Sequence, residues 1–287
     1  MVKTIGNPFS WTARMFGQGA QGAGEATKEF AGRDTAPIEI RDIGVSDLKV
    51  ALQKGAQDFM AFRSDVIFII VMYPIIGFLL VWFASNTDFL PLVFPLISGF
   101  ALVGPIAAIG LYEMSRRHER GEAVSWRHAF DVLRSPSFVP ILVLGGFLLS
   151  IFVVWMYVAS WIYFLTLGPE PPTSIATFAR DIFTTGAGWA MLVSGIGIGF
   201  LFAALVLAIS VVSFPLLIDR HVGLPAAVVA SVRVTAQNPV AIGAWGLVVV
   251  AFLGIGVLTL FIAMIIVLPI LGHATWHLYR QAIADRR

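Results

Sequence analysis

Cysteine is absent from this chain of 287 residues, and charged residues are scarce. The absence of cysteine excludes disulfide bonds, thiolate-bound zinc, iron–sulfur clusters and thiol nucleophiles. Asp, Glu, Lys and Arg make up 13% of the sequence, about half of what is usual in soluble domains, whereas 58% of the residues are hydrophobic. This composition predicts an integral membrane protein. The formal net charge is only +2, and we expect no nucleic-acid partner.

Long apolar runs follow from the same shortage of charge. A helix rises about 1.5 Å per residue, so about 20 apolar residues cross the hydrocarbon core of a bilayer. As one helix, the charge-free stretch between Arg233 and Arg280 would be about twice as long as a single membrane span. This predicts a helical hairpin turning at Gly254-Ile-Gly256. We therefore predict an all-α fold of six transmembrane helices in three hairpins: Val66–Ala84, Phe89–Tyr112, Phe138–Leu165, a span within Trp189–Leu217, Pro239–Ile255 and Val257–Tyr279.

Ionisable residues are also missing from the middle of every predicted span. Proton relays and ion-coupled transporters place Asp, Glu, Lys or His at that depth, so a hydrophilic pathway through one chain is not expected. The sequence contains no P-loop, no G-x-S-x-G and no paired-carboxylate motif on a loop. These absences predict a non-enzymatic protein without a bound cofactor.

The distribution of basic residues predicts the topology. Lys and Arg are retained in cytoplasmic loops, and only Arg180 falls in a predicted outer loop, at 166–188. Both termini are therefore expected in the cytoplasm. We predict a flexible or surface-lying tail at 1–37 and a single transmembrane domain at 38–287.

Three segments of that domain read alike, at about 46–120, 124–221 and 224–287, and predict a threefold internal repeat. Each begins with a short amphipathic helix expected on the cytoplasmic surface, beside anionic inner-leaflet headgroups. A hairpin follows, whose second helix carries Pro105, Pro215 or Pro269 before a polar end. The predicted apolar stripes are Leu48, Leu52 and Phe59; Trp126, Phe130 and Leu133; and Val228, Val232 and Ala236.

The patterns "GLYEMSRRHERGE", "VSFPLLIDRHV" and "LPILGHATWHLYRQAI" resemble a family of bacterial predicted integral membrane proteins, catalogued as domain of unknown function 2189. The resemblance runs from about Ile38 to Ile283. It implies a multi-pass protein of the bacterial inner membrane, with no established activity, catalytic residue or cofactor. It also suggests a terminal oxidase or similar respiratory complex as a partner.

Two histidines near the chain end, His273 and His277, fall on one helix face at i, i+4, a spacing that metal sites use. No acid lies between them, and the other spans supply no facing histidine. The favoured interpretation is that they sit at the helix end, where its dipole favours positive charge. Haem or metal binding through this pair stays open as the less favoured alternative.

Two further groups of residues are candidates for function. Glu113 is spaced to pair with Arg117, and it would meet Arg220 and His277 in a cytoplasmic polar cluster if the three proline-bearing helix ends converge. Small residues permit close packing of membrane helices, and the expected packing glycines are Gly145, Gly146, Gly195 and Gly199.

The leading hypothesis is an accessory or assembly subunit that packs laterally against other integral membrane subunits of a respiratory or related energy-transducing complex. The alternative is a transporter or channel for a small neutral or lipophilic solute.

Overall fold

The computed structural model describes residues 32, 37–62, 82 and 87–285. The described residues form helices and no strand, apart from one isolated antiparallel bridge between Ile40 and Ile283. The predicted all-helical class is confirmed. Two 3₁₀ helices occur, at Thr87–Leu92 and Trp126–Arg134. The α-helices are α1 (Val45–Ala61), α2 (Val93–Ala107), α3 (Ile109–Glu119), α4 (Phe138–Thr166), α5 (Ile175–Thr184), α6 (Gly186–Ser210), α7 (Ser213–Asp219), α8 (Leu224–Gln237), α9 (Pro239–Leu258) and α10 (Met264–Ala282).

Three helical segments of the described chain are long and apolar enough to cross a membrane. They are Phe138–Thr166, Gly186–Asp219 (α6 and α7 together) and Pro239–Leu258, and they correspond to the predicted third, fourth and fifth spans. The predicted first span, 66–84, falls outside the described residues except for Trp82.

The predicted second span, 89–112, is interrupted. A 3₁₀ helix is followed by α2, which ends at Ala107, and α3 begins at Ile109. The interruption lies within one turn of Pro105, which lacks an N–H for the helical hydrogen-bond ladder.

The turn predicted at Gly254-Ile-Gly256 lies further along the chain. Helix α9 continues to Leu258 and α10 begins at Met264, so the connection occupies 259–263, where Leu260 and Phe261 have φ of 52° and 66°. A side chain at Gly256 would overlap Met264. This glycine therefore permits close packing of α9 on α10 instead of forming the turn.

Helix α1 packs along α10, and the two ends of the described chain are joined beside them. A Cβ at Gly55 would lie 2.6 Å from the backbone nitrogen of Ala274 and 2.7 Å from its Cβ, so the two helices touch at this point. The Arg41 amide donates to the Ala282 carbonyl at 2.9 Å, and the Ala284 amide donates to the Glu39 carbonyl at 3.0 Å.

The buried side of α1 differs from the predicted stripe. Leu48, Ala51, Gly55 and Asp58 are buried, whereas Leu52 and Phe59 are half-buried. The small residues let α1 approach α10 closely, and this close contact brings an aspartate into the buried face.

In α8, Val228 of the predicted stripe is half-buried, whereas Val232 and Ala236 are exposed. The buried side holds Ala227, Ala230, Ser231 and Val234. Small side chains allow direct contacts with the backbone: Ser213 Oγ donates to the Ala227 carbonyl at 3.1 Å, and the Val212 amide donates to Ser231 Oγ at 3.4 Å.

In the 3₁₀ helix Trp126–Arg134, two residues of the predicted stripe are exposed. Phe130 is 43% exposed and Leu133 is 58% exposed, whereas Val132 is buried. Ser125 precedes the first helical residue.

Replacing Gly55 by leucine should force α1 away from α10, because the new side chain has no space beside Ala274. Overpacking of this kind costs about 1–3 kcal/mol, and we expect a lower free energy of unfolding in detergent, measured by intrinsic fluorescence. Gln53→Leu, at an exposed position of the same helix, is the control and should change stability little. Equal stability of both variants would show that the contact does not hold the helices together.

Candidate functional site

The polar groups collect where three apolar helices begin or end. Ser137, just before α4, contacts His221 (Oγ to Nδ1, 3.2 Å), just after α7. Asn238, just before α9, accepts from the Ile43 amide at 2.8 Å. The neighbouring Arg41 amide binds the Ala282 carbonyl, and Arg280 reaches Asp219. The ends near 138, 219 and 239 therefore lie on one side of the protein, which we call the polar end.

A buried carboxylate joins three helices at the polar end. Asp58 of α1 is 3% exposed, and its Oδ2 lies 2.6 Å from Ser115 Oγ and 2.9 Å from His277 Nε2. Its Oδ1 lies 2.7 Å from His118 Nδ1, and Ser115 Oγ lies 2.7 Å from His273 Nδ1. These five residues, the Asp58 cluster, connect α1 to α3 and α10.

The spacing of residues within each helix explains this convergence. Ser115 and His118 stand three apart on α3, and His273 and His277 stand four apart on α10, so each pair shares one helix face. The two α10 histidines are 1% and 8% exposed. They lie in the C-terminal half of α10 and are buried, His277 against Asp58 and His273 against Ser115.

The geometry indicates where the protons lie. An ionised carboxylate only accepts, so Ser115, His118 and His277 donate to Asp58. Ser115 Oγ, which donates to Asp58, also lies 2.7 Å from His273 Nδ1. Burial alone would raise the pKa of Asp58, but hydrogen bonds from His277, Ser115 and His118 outweigh it and lower the pKa to about 2.

The contacts in the Asp58 cluster have the lengths of hydrogen bonds. Two ligands of one tetrahedral metal, each about 2.1 Å from it, stand well over 3 Å apart. Asp58 lies 2.7 Å from His118 Nδ1 and 2.9 Å from His277 Nε2. Among the described residues, no group of three or more His, Cys, Asp or Glu residues is arranged to hold a metal ion.

A second buried carboxylate lies on another side of α3. Glu113 is 2% exposed and accepts two hydrogen bonds from Arg116, whose Nε and Nη2 each lie 2.8 Å from one oxygen of the Glu113 carboxylate. Arg117 Nε binds the same carboxylate at 2.8 Å, which confirms the predicted pair. Arg117 Nη2 also reaches Asp131 at 2.8 Å, so this group fixes the 3₁₀ helix Trp126–Arg134 onto α3.

A polar cleft of about 440 Å³ opens between α3, α7 and α10. Four arginines line it, and we call it the arginine cleft: Arg116, Arg120, Arg220 and Arg280. On α10, Trp276 and Arg280 face this cleft, whereas His273 and His277 face Asp58. The Asp58 cluster thus lies on one side of the helix pair α3 and α10, and the arginine cleft lies on another.

The structure places Glu113, Arg220 and His277 at the polar end with different partners. Glu113 binds Arg116 and Arg117, and His277 binds Asp58. Arg220 lies in the arginine cleft and donates through Nη2 to the Ala284 carbonyl. The hydrogen bonds of the described residues do not join the three to one another.

The four glycines chosen as packing positions have different surroundings. A Cβ at Gly199 would lie 3.0 Å from the Trp155 ring, and one at Gly145 would lie 3.5 Å from Ile106. At Gly146 and Gly195, nothing among the described residues lies within 4 Å of that position.

An apolar cavity of about 370 Å³ lies away from the polar end. Its walls come from α4, α5, α6 and the segment 90–95, and include Phe94, Trp155, Phe183 and Gly195. Trp155 donates its indole N–H to the Pro95 carbonyl and to Ser98 Oγ, at 3.3 and 3.2 Å, and is satisfied within the chain.

Comparison with known proteins supports the membrane assignment. Residues 93–219 match the model of a family described as "Predicted integral membrane protein (DUF2189)". The chain carries a DUF2189 region. This confirms the family resemblance over α2 to α7, and Asp58, His273, His277 and Arg280 lie outside the matched residues. Neither a search of curated proteins nor a search of solved structures gave a match.

Sequence reasoning missed Asp58, Ser115 and His118 as partners of the α10 histidines. Asp58 follows Leu48, Ala51 and Gly55 at steps of three and four residues, so it belongs to the small-residue face of α1. An acid that continues an apolar helix face is the signal that would have identified it.

Replacing Asp58 by asparagine should destabilise the protein by about 3 kcal/mol, because it removes the charge that Ser115, His118 and His277 bind. The free energy of unfolding of the purified protein measures this. Glu170→Gln removes an exposed carboxylate elsewhere and should change stability by less than about 0.5 kcal/mol.

The stability difference between wild type and Asp58→Asn should also depend on pH. The pKa of Asp58 is about 2 in the folded chain and 3.8 ordinarily. A lowered carboxyl pKa stabilises the folded state above the ordinary value, and that contribution is lost as the pH falls to the folded value. The stability difference between wild type and Asp58→Asn should therefore be complete at pH 5 and shrink toward pH 2. A difference that stays constant would contradict the assignment of an ionised Asp58.

Proposed function

We propose that this DUF2189 protein is a non-enzymatic accessory or assembly subunit, which packs laterally against other integral membrane proteins of the bacterial inner membrane. The observation that carries the proposal is a set of glycines on outward faces. Gly146 and Gly197 are exposed, and nothing in the described chain lies within 4 Å of a Cβ at either position. Glycine costs about 1 kcal/mol in a helix interior, whereas it lets a neighbouring membrane helix approach closely.

The surroundings of Gly146 are suited to such a contact. Ser150 stands one turn further along the outward face of α4, and its hydroxyl is satisfied by the Gly146 carbonyl at 2.9 Å. Phe147 and Leu142 beside them are 52% and 60% exposed. A shallow groove of small residues between large apolar ones accommodates a helix of another subunit. By the family resemblance, the favoured partner is a terminal oxidase or similar respiratory complex.

The proposal includes the full topology: six spans in three hairpins, a threefold repeat within one domain at 38–287, and both termini in the cytoplasm. The meeting of α3, α7 and α10 around the arginine cleft supports it. Each of these helix ends follows Pro105, Pro215 or Pro269 at the close of a predicted hairpin. The arginine-rich polar end would then be the cytoplasmic side.

A second candidate function, binding or transport of a lipophilic solute, is favoured by the apolar cavity. Its volume of about 370 Å³ falls within the range of small-molecule sites. It shares no lining residue with the arginine cleft.

The topology can be tested directly because the chain has no cysteine. Single cysteines at Glu170, Glu122 and Lys49, all exposed, should react differently with a membrane-impermeant maleimide. Glu170→Cys should be labelled in intact spheroplasts, whereas Glu122→Cys and Lys49→Cys should be labelled only after permeabilisation. Labelling of all three from one side would overturn the proposed topology.

Lateral packing can be tested at Gly146. In the native host, tagged wild-type protein extracted in mild detergent should co-purify with other membrane subunits in stoichiometric amounts. Gly146→Leu should fold normally, because nothing in the described chain crowds that position. The amount of partner that co-purifies with the variant should be about tenfold lower than with wild type, since the added side chain holds a packed helix away.

Phe147→Leu is the matched control, because it alters a large exposed residue on the same surface. It should retain the partner. The proposal fails if wild-type protein purifies alone under these conditions, or if both variants retain the same partners as wild type.

A further inference from the structure

Arg220 is the least satisfied charged group in the arginine cleft. It is 7% exposed, and the one hydrogen bond of its guanidinium to a described residue is from Nη2 to the Ala284 carbonyl. The nearest carboxylate oxygen, on Asp219, lies 4.0 Å from its Nε, beyond hydrogen-bond length. A buried guanidinium with unused donors is costly unless a partner of opposite charge binds it.

The unused donors of Arg220 face the cleft. Within the described chain, the one fully buried side-chain nitrogen or oxygen without a hydrogen bond is Gln281 Oε1. The free nitrogens of Arg220 are therefore accessible, and the space they adjoin is the arginine cleft. Arg120 enters the same space from α3 and is 48% exposed, with a contact of 3.3 Å to Asp219.

The carboxylates of the cleft are already occupied by donors of the chain. Glu119 accepts from the Trp276 indole and from Arg280, both at 3.0 Å. Asp219 accepts from the Tyr279 hydroxyl at 2.7 Å, and Asp285 pairs with Arg280. Asp219 also contacts Arg120 at 3.3 Å, whereas the guanidinium of Arg220 makes no hydrogen bond to these carboxylates. Arg220 can therefore bind an anion from outside, beside the half-exposed Arg120.

We propose that the arginine cleft binds a phosphate group through Arg220 and Arg120. Planar guanidinium groups recognise phosphate with two parallel hydrogen bonds, which suits donors that converge from two helices. The volume of about 440 Å³ holds a phosphate together with a small substituent. The cleft adjoins Asp219, the last residue of an apolar segment able to cross a membrane. This position favours an anionic lipid headgroup over free phosphate, and the site does not depend on a protein partner.

The test uses the full chain, purified and delipidated in neutral detergent, and measures the ligand-induced rise in unfolding temperature. The probes are short-chain phosphatidylglycerol, inorganic phosphate, and diacylglycerol of the same chain length, which lacks phosphate. Phosphatidylglycerol should raise the unfolding temperature of wild type, and diacylglycerol should not. Arg220→Gln should need at least about tenfold more phosphatidylglycerol for half of the effect.

Arg127→Gln is the matched control, because it removes an exposed arginine from the polar end outside the cleft. It should respond like wild type. If Arg220→Gln does not fold, Arg120→Gln replaces it, because Arg120 is half exposed. This variant should need about fivefold more phosphatidylglycerol for half of the effect.

Two arms distinguish the source of the phosphate. If inorganic phosphate reproduces the response and requires Arg220 or Arg120, the cleft binds free phosphate. If only phosphatidylglycerol does so, the ligand is a lipid headgroup. Equal responses to phosphatidylglycerol and diacylglycerol, or equal losses in the cleft variants and Arg127→Gln, would overturn the site.

Discussion

The buried carboxylate of Asp58 is the interaction on which the polar end depends. A carboxylate that is 3% exposed is tolerated only when donors replace its lost water, and here three side chains from two other helices do so. Helix α1 is therefore held on α3 and α10 by charge as well as by the close contact of Gly55 with Ala274. The bridge from Ile40 to Ile283 continues the same junction to the C-terminal end of α10.

Apolar packing and charged hydrogen bonds stabilise different parts of the protein. The segments able to cross a membrane contain almost no charge and expose large apolar side chains, such as Leu247 of α9 at 71%. Such helices gain little by burying apolar surface against one another in lipid, so packing and polar contacts must hold them. The charged groups are concentrated where α3, α7 and α10 meet, and their hydrogen bonds join α3 to the 3₁₀ helix Trp126–Arg134 and α10 to α7 and α3.

Much of the helical framework could be predicted from hydropathy and length, because spans of about 20 apolar residues leave few alternatives. The spans at 138–165 and 239–255 and the shared face of His273 and His277 follow from composition and helical spacing. The partners of these histidines do not, because Asp58 and Ser115 lie far away in sequence and meet them only through tertiary packing. The packing side of α8 was not predicted for a related reason: small residues such as Ala227 and Ser231 make its close contacts, and they lie off the apolar stripe that helical spacing identifies.

A double-mutant cycle between Asp58 and His277 tests the central claim most directly. The free energies of unfolding of wild type, Asp58→Asn, His277→Gln and the double variant give the coupling between α1 and α10 without the separate cost of each substitution. A charge-assisted bond of 2.9 Å in a buried site predicts a coupling of about 1.5–3 kcal/mol. A coupling within about 0.5 kcal/mol of zero would mean that Asp58 does not hold the two helices together, and would contradict the account.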